Sequence, residues 1–296
     1  MTRGRGEKKS DGRVTVSPRH RVSSKRAPLI TLLTDFGTTD YFVGAVKGVI
    51  LSINPAARVV DITHEIPPQD IEAAAFTLLA AYPSFPAGTV HVAVVDPGVG
   101  STRRAILVEA AGQVFVGPDN GIFSYVYEAA PDIRVFEITN QKYFRMPVST
   151  TFNGRDVFAP VAAAVSTGIK PSELGNEIRD PILLASLLPE KSGKGTVRGR
   201  IIHIDRFGNC ITNITARELT EKMIADGAYL VAKGAKVKSF QNFFSKHGGR
   251  GRKVFGIWGS AGFLELAAKD KSAAKILKVK RGQTIDLRMP KAPQSA

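Results

Sequence analysis

Over the first 180 residues, short apolar stretches alternate with segments of helical periodicity, and this alternation constrains the fold more than any other feature. Leu29 to Thr34 is a run of strand-forming residues, and from Tyr41 to Ile53 the apolar side chains fall at helical spacing. The alternation continues with predicted strands at 59–62, 89–95, 105–109 and 114–116 and helices at 71–82 and 154–166. This order predicts an α/β domain built as a three-layer sandwich around a mostly parallel sheet.

The composition changes after Asp180, where an apolar run is followed by a stretch rich in Lys, Gly and Ser. We therefore assign 28–180 to the N-terminal α/β domain, 181–199 to a linker and 200–290 to a second domain. In that domain, short strands are predicted at 200–205, 210–214, 228–231, 254–258, 263–267 and 283–287. Short strands separated by turns are typical of a smaller all-β, barrel-like domain.

Much of the formal net charge of +15 lies at the N-terminus. The first 28 residues hold nine Lys and Arg against two acidic residues, without apolar periodicity. This composition favours a disordered basic tail over 1–27, with an arm that binds nucleic acid as the alternative. A second basic segment, rich in Gly, covers 246–253.

Several classes of protein are disfavoured by what the sequence lacks. Cys210 is the single cysteine, which excludes a disulfide framework and suits the cytoplasm. The five histidines lack metal-ligand spacing, so we expect no metal site. No apolar run is long enough to span a membrane, and no secretory signal is evident.

Four clusters of polar residues and glycines fall on predicted loops, and two of them directly follow strands. Residues 34–40 contain Asp35 and Asp40, whose carboxylates could hold ribose hydroxyls or an ammonium group. Asp96 and Arg103 flank a glycine-containing turn and could orient a small polar nucleophile. Ligands of open α/β sheets bind at the carboxyl ends of strands, which favours a site here. Each cluster alone is equally consistent with a turn, and Asp40 with the N-cap of the following helix.

The other two clusters have the same two interpretations. Residues 149–156 place hydroxyls, Asn153 and Gly154 just before a predicted helix, where they could contact a ligand or only cap the helix. Residues 205–209 lie between strands of the second domain. There Phe207 and Asn209 could stack on and hydrogen-bond a purine, or simply form a hairpin turn.

Taken in order, the four clusters resemble one family, the S-adenosyl-L-methionine hydroxide adenosyltransferases, a sister family of the fluorinases and chlorinases. The resemblance covers residues 28 to 290 and leaves out the basic tail. It implies an enzyme that uses water to cleave S-adenosyl-L-methionine (SAM) at the ribose C5′, giving adenosine and L-methionine, with SAM as substrate and without a cofactor. It also implies a homotrimer, with each pocket between the first domain of one subunit and the second domain of a neighbour.

The resemblance also implies a role in substrate binding for residues of each domain. Asp35 would hold the ribose hydroxyls and Asp40 the methionine amino group, while Phe152 and Gly154 would line the reacting C5′ carbon. The second domain would meet the methionine and adenine parts of the substrate through Asp205, Phe207, Asn209 and Ser260.

Three positions bear on the reaction itself. Asp96 stands where the fluorinases and chlorinases have tyrosine, and Arg103 matches an arginine of the hydrolases. The histidine that helps to polarise water in those hydrolases falls at Asn153, which can hydrogen-bond water but cannot take its proton. The resemblance therefore implies a slow hydrolase. The alternatives are a SAM- or adenosine-binding protein with weak or lost catalysis, a halide-dependent halogenase, and a nucleic-acid-associated protein.

Overall fold

The structure is a computed structural model that describes residues 27–193, 196–243 and 254–290. The predictions made for the basic tail, apart from Ala27, and for the basic segment 246–253 lie outside these residues. Within the described residues, no helix is both long enough and apolar enough to cross a bilayer.

The N-terminal part of the described chain contains a seven-stranded sheet with the order β2-β1-β3-β5-β4-β6-β7. Its strands are β1 (Leu29–Thr34), β2 (Arg58–Thr63), β3 (Val90–Val94), β4 (Ala105–Ala110), β5 (Gln113–Pro118), β6 (Arg134–Glu137) and β7 (Glu177–Ile178). β2, β1, β3 and β5 pair in parallel, whereas β4, β6 and β7 are antiparallel to their neighbours. The sheet is therefore parallel-rich on one side only. A two-residue turn with positive φ at Ala111 and Gly112 forces β4 and β5 to pair antiparallel.

Helices cover both faces of this sheet and give the predicted three layers. They are α1 (Phe42–Ile53), α2 (Ile71–Ala81), α3 (Ser124–Ala129) and α4 (Ala159–Ser166), the last preceded by a π-helical turn, Gly154–Phe158. Ile30 and Leu32 of β1 pack in the core beneath α1 and α4, and Leu33 packs in the core beneath α2 and α3. Successive side chains of a strand point to opposite faces, so one buried strand supplies both cores.

One predicted helix cap is wrong. α1 begins at Phe42, with Tyr41 rather than Asp40 at the N-cap position, and no side chain caps it. The carbonyl of Tyr41 accepts the first hydrogen bond of the helix, from the backbone N–H of Ala45 at 2.9 Å. Asp40 therefore lies one residue too early to cap the helix.

The C-terminal sheet is predominantly antiparallel, with the order β12-β11-β16-β9-β10-β15-β14-β13 and with β8 paired to β9. Its described strands are β8 (Glu190–Ser192), β9 (Thr196–Ile204), β10 (Cys210–Thr215), β11 (Tyr229–Ala232), β12 (Ala235–Val237), β13 (Phe240–Gln241), β14 (Val254–Trp258), β15 (Phe263–Ala268) and β16 (Thr284–Arg288). β8 and the first residues of β9 lie within the range assigned to the linker.

Two short helices accompany the C-terminal sheet, so this part of the chain is mixed rather than purely β. They are α5 (Glu221–Ala225) and α6 (Ala273–Leu277), capped by the side chains of Thr220 and Ser272. Ala273 and Leu277 belong to the core of the sheet. A five-residue helix is too short to show a periodicity, and this explains why the sequence pattern missed both helices.

The two parts of the chain meet along α2. The ring of Phe76 stacks on His203 at 5.1 Å between centroids, and Arg281 Nη1 lies 2.6 Å from Asp70 Oδ2. A second ion pair joins Arg200 and Glu72 at 3.1 Å. These contacts hold the C-terminal sheet against α2.

Candidate active site

A cavity of about 400 Å³ opens at the carboxyl ends of β1 and β3. The loops that follow these strands form one side of it, and the segment leading into the π-helical turn forms the other. Five residues predicted from the sequence line the cavity: Asp35, Asp96, Phe152, Asn153 and Gly154. The parallel pairing of β1 and β3 brings the loops together, as expected for an open α/β sheet.

Asp96, which lines the cavity, forms an ion pair with Arg103. Arg103 Nε donates to Oδ1 and Oδ2 of Asp96 at 2.9 and 3.0 Å, and Nη2 also contacts Oδ2. The Asp96 side chain is 6% exposed and that of Arg103 is 12% exposed. Such a charge-assisted, forked contact fixes the orientation of the carboxylate more strictly than a single hydrogen bond would.

Asn153 completes this array through the same guanidinium. Its Oδ1 accepts a hydrogen bond from Arg103 Nη2 at 2.7 Å, and its Nδ2 donates to the backbone oxygen of Ser149 at 3.1 Å. Both ends of the amide are thus engaged by the protein. The ring of Phe158 lies beneath the guanidinium, with Cζ of Arg103 5.2 Å from its centroid. The arginine is therefore held by a carboxylate, an amide and an aromatic face.

The loop that carries Asp96 packs closely on the loop that carries Asn153. Gly100 has φ +79°, and a Cβ at this position would lie 2.3 Å from the backbone oxygen of Thr150. Only glycine permits both the conformation and the approach. Of the glycines singled out between residues 96 and 104, Gly100 therefore joins the two halves of the site.

Asp35 lies across the cavity, directly after β1. Its Oδ2 accepts a hydrogen bond from the backbone N–H of Gln69 at 2.8 Å, and Gln69 itself lines the cavity in a left-handed conformation with φ +65°. The other carboxylate oxygen of Asp35 accepts no hydrogen bond within the described residues. That oxygen can receive a donor from a ligand.

Aromatic rings form one wall of the cavity. Phe152 makes edge contacts with Phe36 and Phe42, at centroid distances of 6.0 and 5.2 Å. Gly154 allows this packing, because a Cβ there would lie 3.3 Å from Cζ of Phe36. A wall of this kind excludes water from part of the cavity while the polar array remains on the other side.

Asp156, which the sequence reasoning did not single out, organises the segment that carries Phe152 and Asn153. It is fully buried, pairs with Arg155 at 2.7 and 2.8 Å, and accepts the backbone N–H of Ser149 at 2.9 Å. Burial raises the pKa of this carboxyl, but the hydrogen bonds from Arg155, Ser149 and Arg145 outweigh it and lower the pKa below its ordinary value. The sequence pointed to Asp156 only through its place in the run Gly154-Arg155-Asp156. That it is buried and paired with Arg155 cannot be recognised from the spacing of residues.

Other predicted site residues lie away from this cavity. Asp40 is exposed at the end of the loop after β1, and its side chain makes no hydrogen bond to any described residue. Phe207 and Asn209 line a separate cavity of about 480 Å³, together with residues of the turn before α6. Ser260 is exposed on the turn after β14 and lines neither cavity.

The loop between β9 and β10 is nevertheless well organised. Asp205 accepts the backbone N–H and the side-chain Nδ2 of Asn209, at 2.8 and 2.9 Å. Gly208 has φ +85° and lies against Ser272, which leaves no room for a Cβ. Phe207 at the tip is 78% exposed.

The described residues contain no group of three or more His, Cys, Asp or Glu side chains that could hold a metal ion. The polar groups around the first cavity are two carboxylates, a guanidinium, an amide and backbone groups. These groups can bind hydroxyls, an ammonium group and a water molecule.

Comparison with known proteins points to one family over both parts of the chain. Residues 30–175 match the profile of the SAM hydroxide adenosyltransferase N-terminal domain, and residues 199–286 match that of the C-terminal domain. An (R)-S-adenosyl-L-methionine hydrolase of Methanocaldococcus jannaschii is 39% identical over 85% of this chain and 92% of its own length. A fluorinase of Actinoplanes sp. is 28% identical over 87% of this chain and 96% of its own. The crystal structure of an uncharacterized conserved protein from Thermotoga maritima superimposes with a TM-score of 0.80 and 34% identity, covering 88% of this chain and 99% of that one.

Proposed function

The chain belongs to the SAM hydroxide adenosyltransferase family, and on that basis we propose that it hydrolyses S-adenosyl-L-methionine to adenosine and L-methionine. The observation that carries the proposal is the array of Asp96, Arg103 and Asn153. Asp96 and Asn153 line a cavity that also presents Asp35, and Arg103 binds both of them. The carboxylate of Asp96, fixed by Arg103, lies across the cavity from Asp35, which can bind the ribose.

The reaction is a displacement at C5′. The oxygen of a water molecule forms a bond to C5′ as the bond from C5′ to the sulfonium sulfur breaks, and the electron pair of that bond stays on sulfur. The leaving group is the neutral thioether of methionine, so it needs no proton. The water loses one proton, which leaves through the Asp96 carboxylate to solvent. SAM is a substrate here, and no step calls for a cofactor or a metal ion.

The main contribution of the site is to hold water and substrate in line. Asp96 accepts a hydrogen bond from the water, and Arg103 keeps the carboxylate from rotating. A correctly aligned nucleophile in a partly dry cavity accounts for a large share of the acceleration in displacements of this kind. The wall of Phe36, Phe42 and Phe152 limits the access of bulk water to C5′.

Asn153 sets the rate in this proposal. It keeps Arg103 in place, but its amide cannot take a proton from water at neutral pH. Proton removal then depends on Asp96 alone, whose carboxylate already receives N–H groups from Arg103. For this reason we propose that the enzyme is slow.

The proposal includes a homotrimer with sites shared between subunits. Asp205, Phe207, Asn209 and Ser260 lie outside the cavity of their own chain, and Phe207 is exposed as a contact residue would be. Charge supports such a contact. The described residues 27–193 carry eleven Lys and Arg against seventeen Asp and Glu, whereas those of 196–290 carry fifteen against seven. An acidic first domain and a basic second domain attract each other between copies of the chain.

The decisive experiment is incubation of the purified protein with SAM, with chromatography of adenosine and methionine. Asp96→Ala is the test variant, and Asp132→Ala, at an exposed aspartate remote from the cavity, is the matched control. We expect adenosine from the wild type and the control, and much less from Asp96→Ala. Added chloride should leave the product unchanged. Formation of 5′-chloro-5′-deoxyadenosine would instead identify a halogenase, and tight SAM binding without product would identify a binding protein.

A further inference from the structure

A buried histidine stands directly behind the loop that carries Asp35. His64 is 4% exposed and lies just after β2, beside the end of β1. Its Nδ1 is 2.8 Å from Oγ1 of Thr34, the last residue of β1. Its own backbone oxygen accepts the N–H of Gly37 at 2.8 Å. His64 therefore contacts both ends of the segment that contains Asp35 and Phe36.

Thr34 connects His64 to two residues that line the cavity, Asp35 and Phe36. Its Oγ1 accepts the backbone N–H of Phe36 at 3.2 Å, which closes a tight turn around Asp35. The ring of Phe36 packs against Phe152 and the carboxylate of Asp35 faces the cavity. The orientation of both side chains follows from the geometry of this turn.

The other side of the imidazole faces a charged pair. Nε2 of His64 lies 3.1 Å from Oδ1 of Asp61, off the direction of an ideal hydrogen bond, and Oδ2 of Asp61 accepts a bond from Lys47 Nζ at 2.6 Å. Burial raises the pKa of Asp61, but the contacts with Lys47 and His64 lower it below its ordinary value. Lys47 lies on α1, whose first residue, Phe42, lines the cavity. The chain of contacts thus runs from α1 to the Asp35 turn.

The order carboxylate, imidazole, hydroxyl resembles a catalytic triad, but the hydroxyl cannot act as a nucleophile here. Thr34 is 2% exposed, it does not line the cavity, and its oxygen is already shared between His64 and Phe36. A reacting group would need access to the substrate. The arrangement fits a structural purpose for the loop instead.

We propose that His64 is a positioning residue for substrate binding, which holds the Asp35 turn through Thr34 so that the Asp35 carboxylate is fixed toward the ribose of the substrate. The inference rests on the proposed function and adds a residue that orients one of its substrate-binding groups. The side chains that bind a ligand are held in orientation by supporting residues. When that support is lost, the binding side chains remain but no longer keep the geometry that the ligand requires.

The fold offers a matched control on the same strand. Thr31 of β1 is also buried and its Oγ1 lies 2.7 Å from Nδ1 of a second buried histidine, His91 of β3. Nε2 of His91 contacts Oε1 of Gln113 at 2.6 Å rather than a residue of the site. The two Thr–His pairs are alike in burial and distance, and only the pair with Thr34 touches the Asp35 turn.

The test compares Thr34→Val with Thr31→Val, since each replacement removes one buried hydroxyl at nearly constant volume. We expect the two variants to lose similar stability in thermal unfolding. Only Thr34→Val should raise the KM for SAM and the Kd for adenosine, by about tenfold, with kcat changed much less. His64→Gln, which can still bond Thr34, should restore most of the affinity that His64→Ala loses.

A second measurement does not depend on turnover. Amide hydrogen exchange of the peptide that contains Phe36 and Gly37 should speed up in Thr34→Val and in His64→Ala, and stay unchanged in Thr31→Val. Equal effects of Thr34→Val and Thr31→Val on KM and exchange, or no effect of His64→Ala on either, would overturn the proposal. A wild type that neither binds nor cleaves SAM would reject the proposed function, while the exchange result would still decide the role of His64.

Discussion

Arg103 and Asn153 are fifty residues apart in the chain, and Nη2 of the arginine donates a 2.7 Å hydrogen bond to Oδ1 of the amide. The same guanidinium holds Asp96 through Nε. An amide at position 153 therefore keeps the arginine and the carboxylate in place. The amide cannot accept a proton from water. Asn153 can therefore help to position the water through Arg103 and Asp96, but it cannot deprotonate it.

Asn153→His should add the missing proton acceptor. We expect kcat to rise about 100-fold above the pKa of the new imidazole, which is the lower end of what a positioned general base contributes. The rate should increase as the pH rises through about 6.5, where a histidine loses its proton, and then level off. The wild type should lack this step. The measurement is kcat between pH 5.5 and 8.5, and a variant slower than the wild type at every pH would contradict the prediction. Asn153→Ala, which removes the acceptor for Arg103, should be slower than either.

Asp96→Asn tests the carboxylate with little change in size. The variant keeps an oxygen for water but loses the negative charge that binds Arg103 and receives the proton. We expect kcat to fall about 100-fold, the usual range for loss of one acid–base group. The Kd for adenosine, measured by calorimetry, should change less than about threefold, because Asp96 does not face the ribose groups bound by Asp35. A loss of affinity as large as the loss of rate would show that Asp96 acts in binding.

Gly100→Ala should disturb the contact between the two halves of the cavity. The residue has φ +79°, and the new methyl group would lie 2.3 Å from the backbone oxygen of Thr150. We expect a loss of about 1–3 kcal/mol in the free energy of unfolding, measured by urea denaturation, together with a lower kcat. Gly168→Ala is the comparison, since its φ is +107° but open space surrounds it. If the two variants lose equal activity, backbone strain rather than the close approach explains the effect.

The buried pair of Thr31 and His91 predicts a pH dependence of stability. Burial lowers the pKa of His91 to about 4, well below the 6.5 of the unfolded chain. The unfolded state therefore binds a proton that the folded state does not, and stability falls as the pH drops from about 6.5 toward 4. The stabilisation at neutral pH that depends on a neutral His91 amounts to a few kcal/mol.

His91→Gln removes this titration and tests it. The difference in the free energy of unfolding between wild type and variant, measured in urea at several pH values, should shrink as the pH falls from 6.5 to 4.5. His203 also has a lowered pKa, mainly through burial, and is present in both proteins, so its effect cancels. A difference that is constant with pH would show that folding does not lower the pKa of His91.

Subunit mixing tests whether the sites are shared. Asp96→Ala disables the first domain and Asn209→Ala the second-domain loop. If each site takes its two halves from neighbouring subunits, random hybrids of the two inactive variants should recover about a quarter of the sites. Recovery after joint refolding, absent when either variant is refolded alone, is the expected result. A site contained within one chain would give no recovery.

Much of the site could be predicted because its residues follow strands. β1 ends at Thr34 as expected, and parallel pairing of β1 with β3 places Asp35 and Asp96 at one edge. The carboxyl ends of parallel strands converge whatever their distance in sequence, so the residues just after them can be chosen from the pattern alone. Asp156 and His64 could not be assigned in this way, because their roles depend on partners that only packing brings near.

By itself, the sequence determined the two-part organisation, the strands of the first sheet that carry Asp35 and Asp96, and the family resemblance that links the four clusters. These follow from periodicity, from turn-forming residues and from ordered motifs, all of which are local. Only the tertiary structure decided that Arg103 holds both Asp96 and Asn153, and that β4, β6 and β7 pair antiparallel with their neighbours. The tertiary structure also showed that the loop of Phe207 does not line the cavity of its own chain. These relationships depend on the distances between residues remote in sequence, which folding sets through the burial of shared cores.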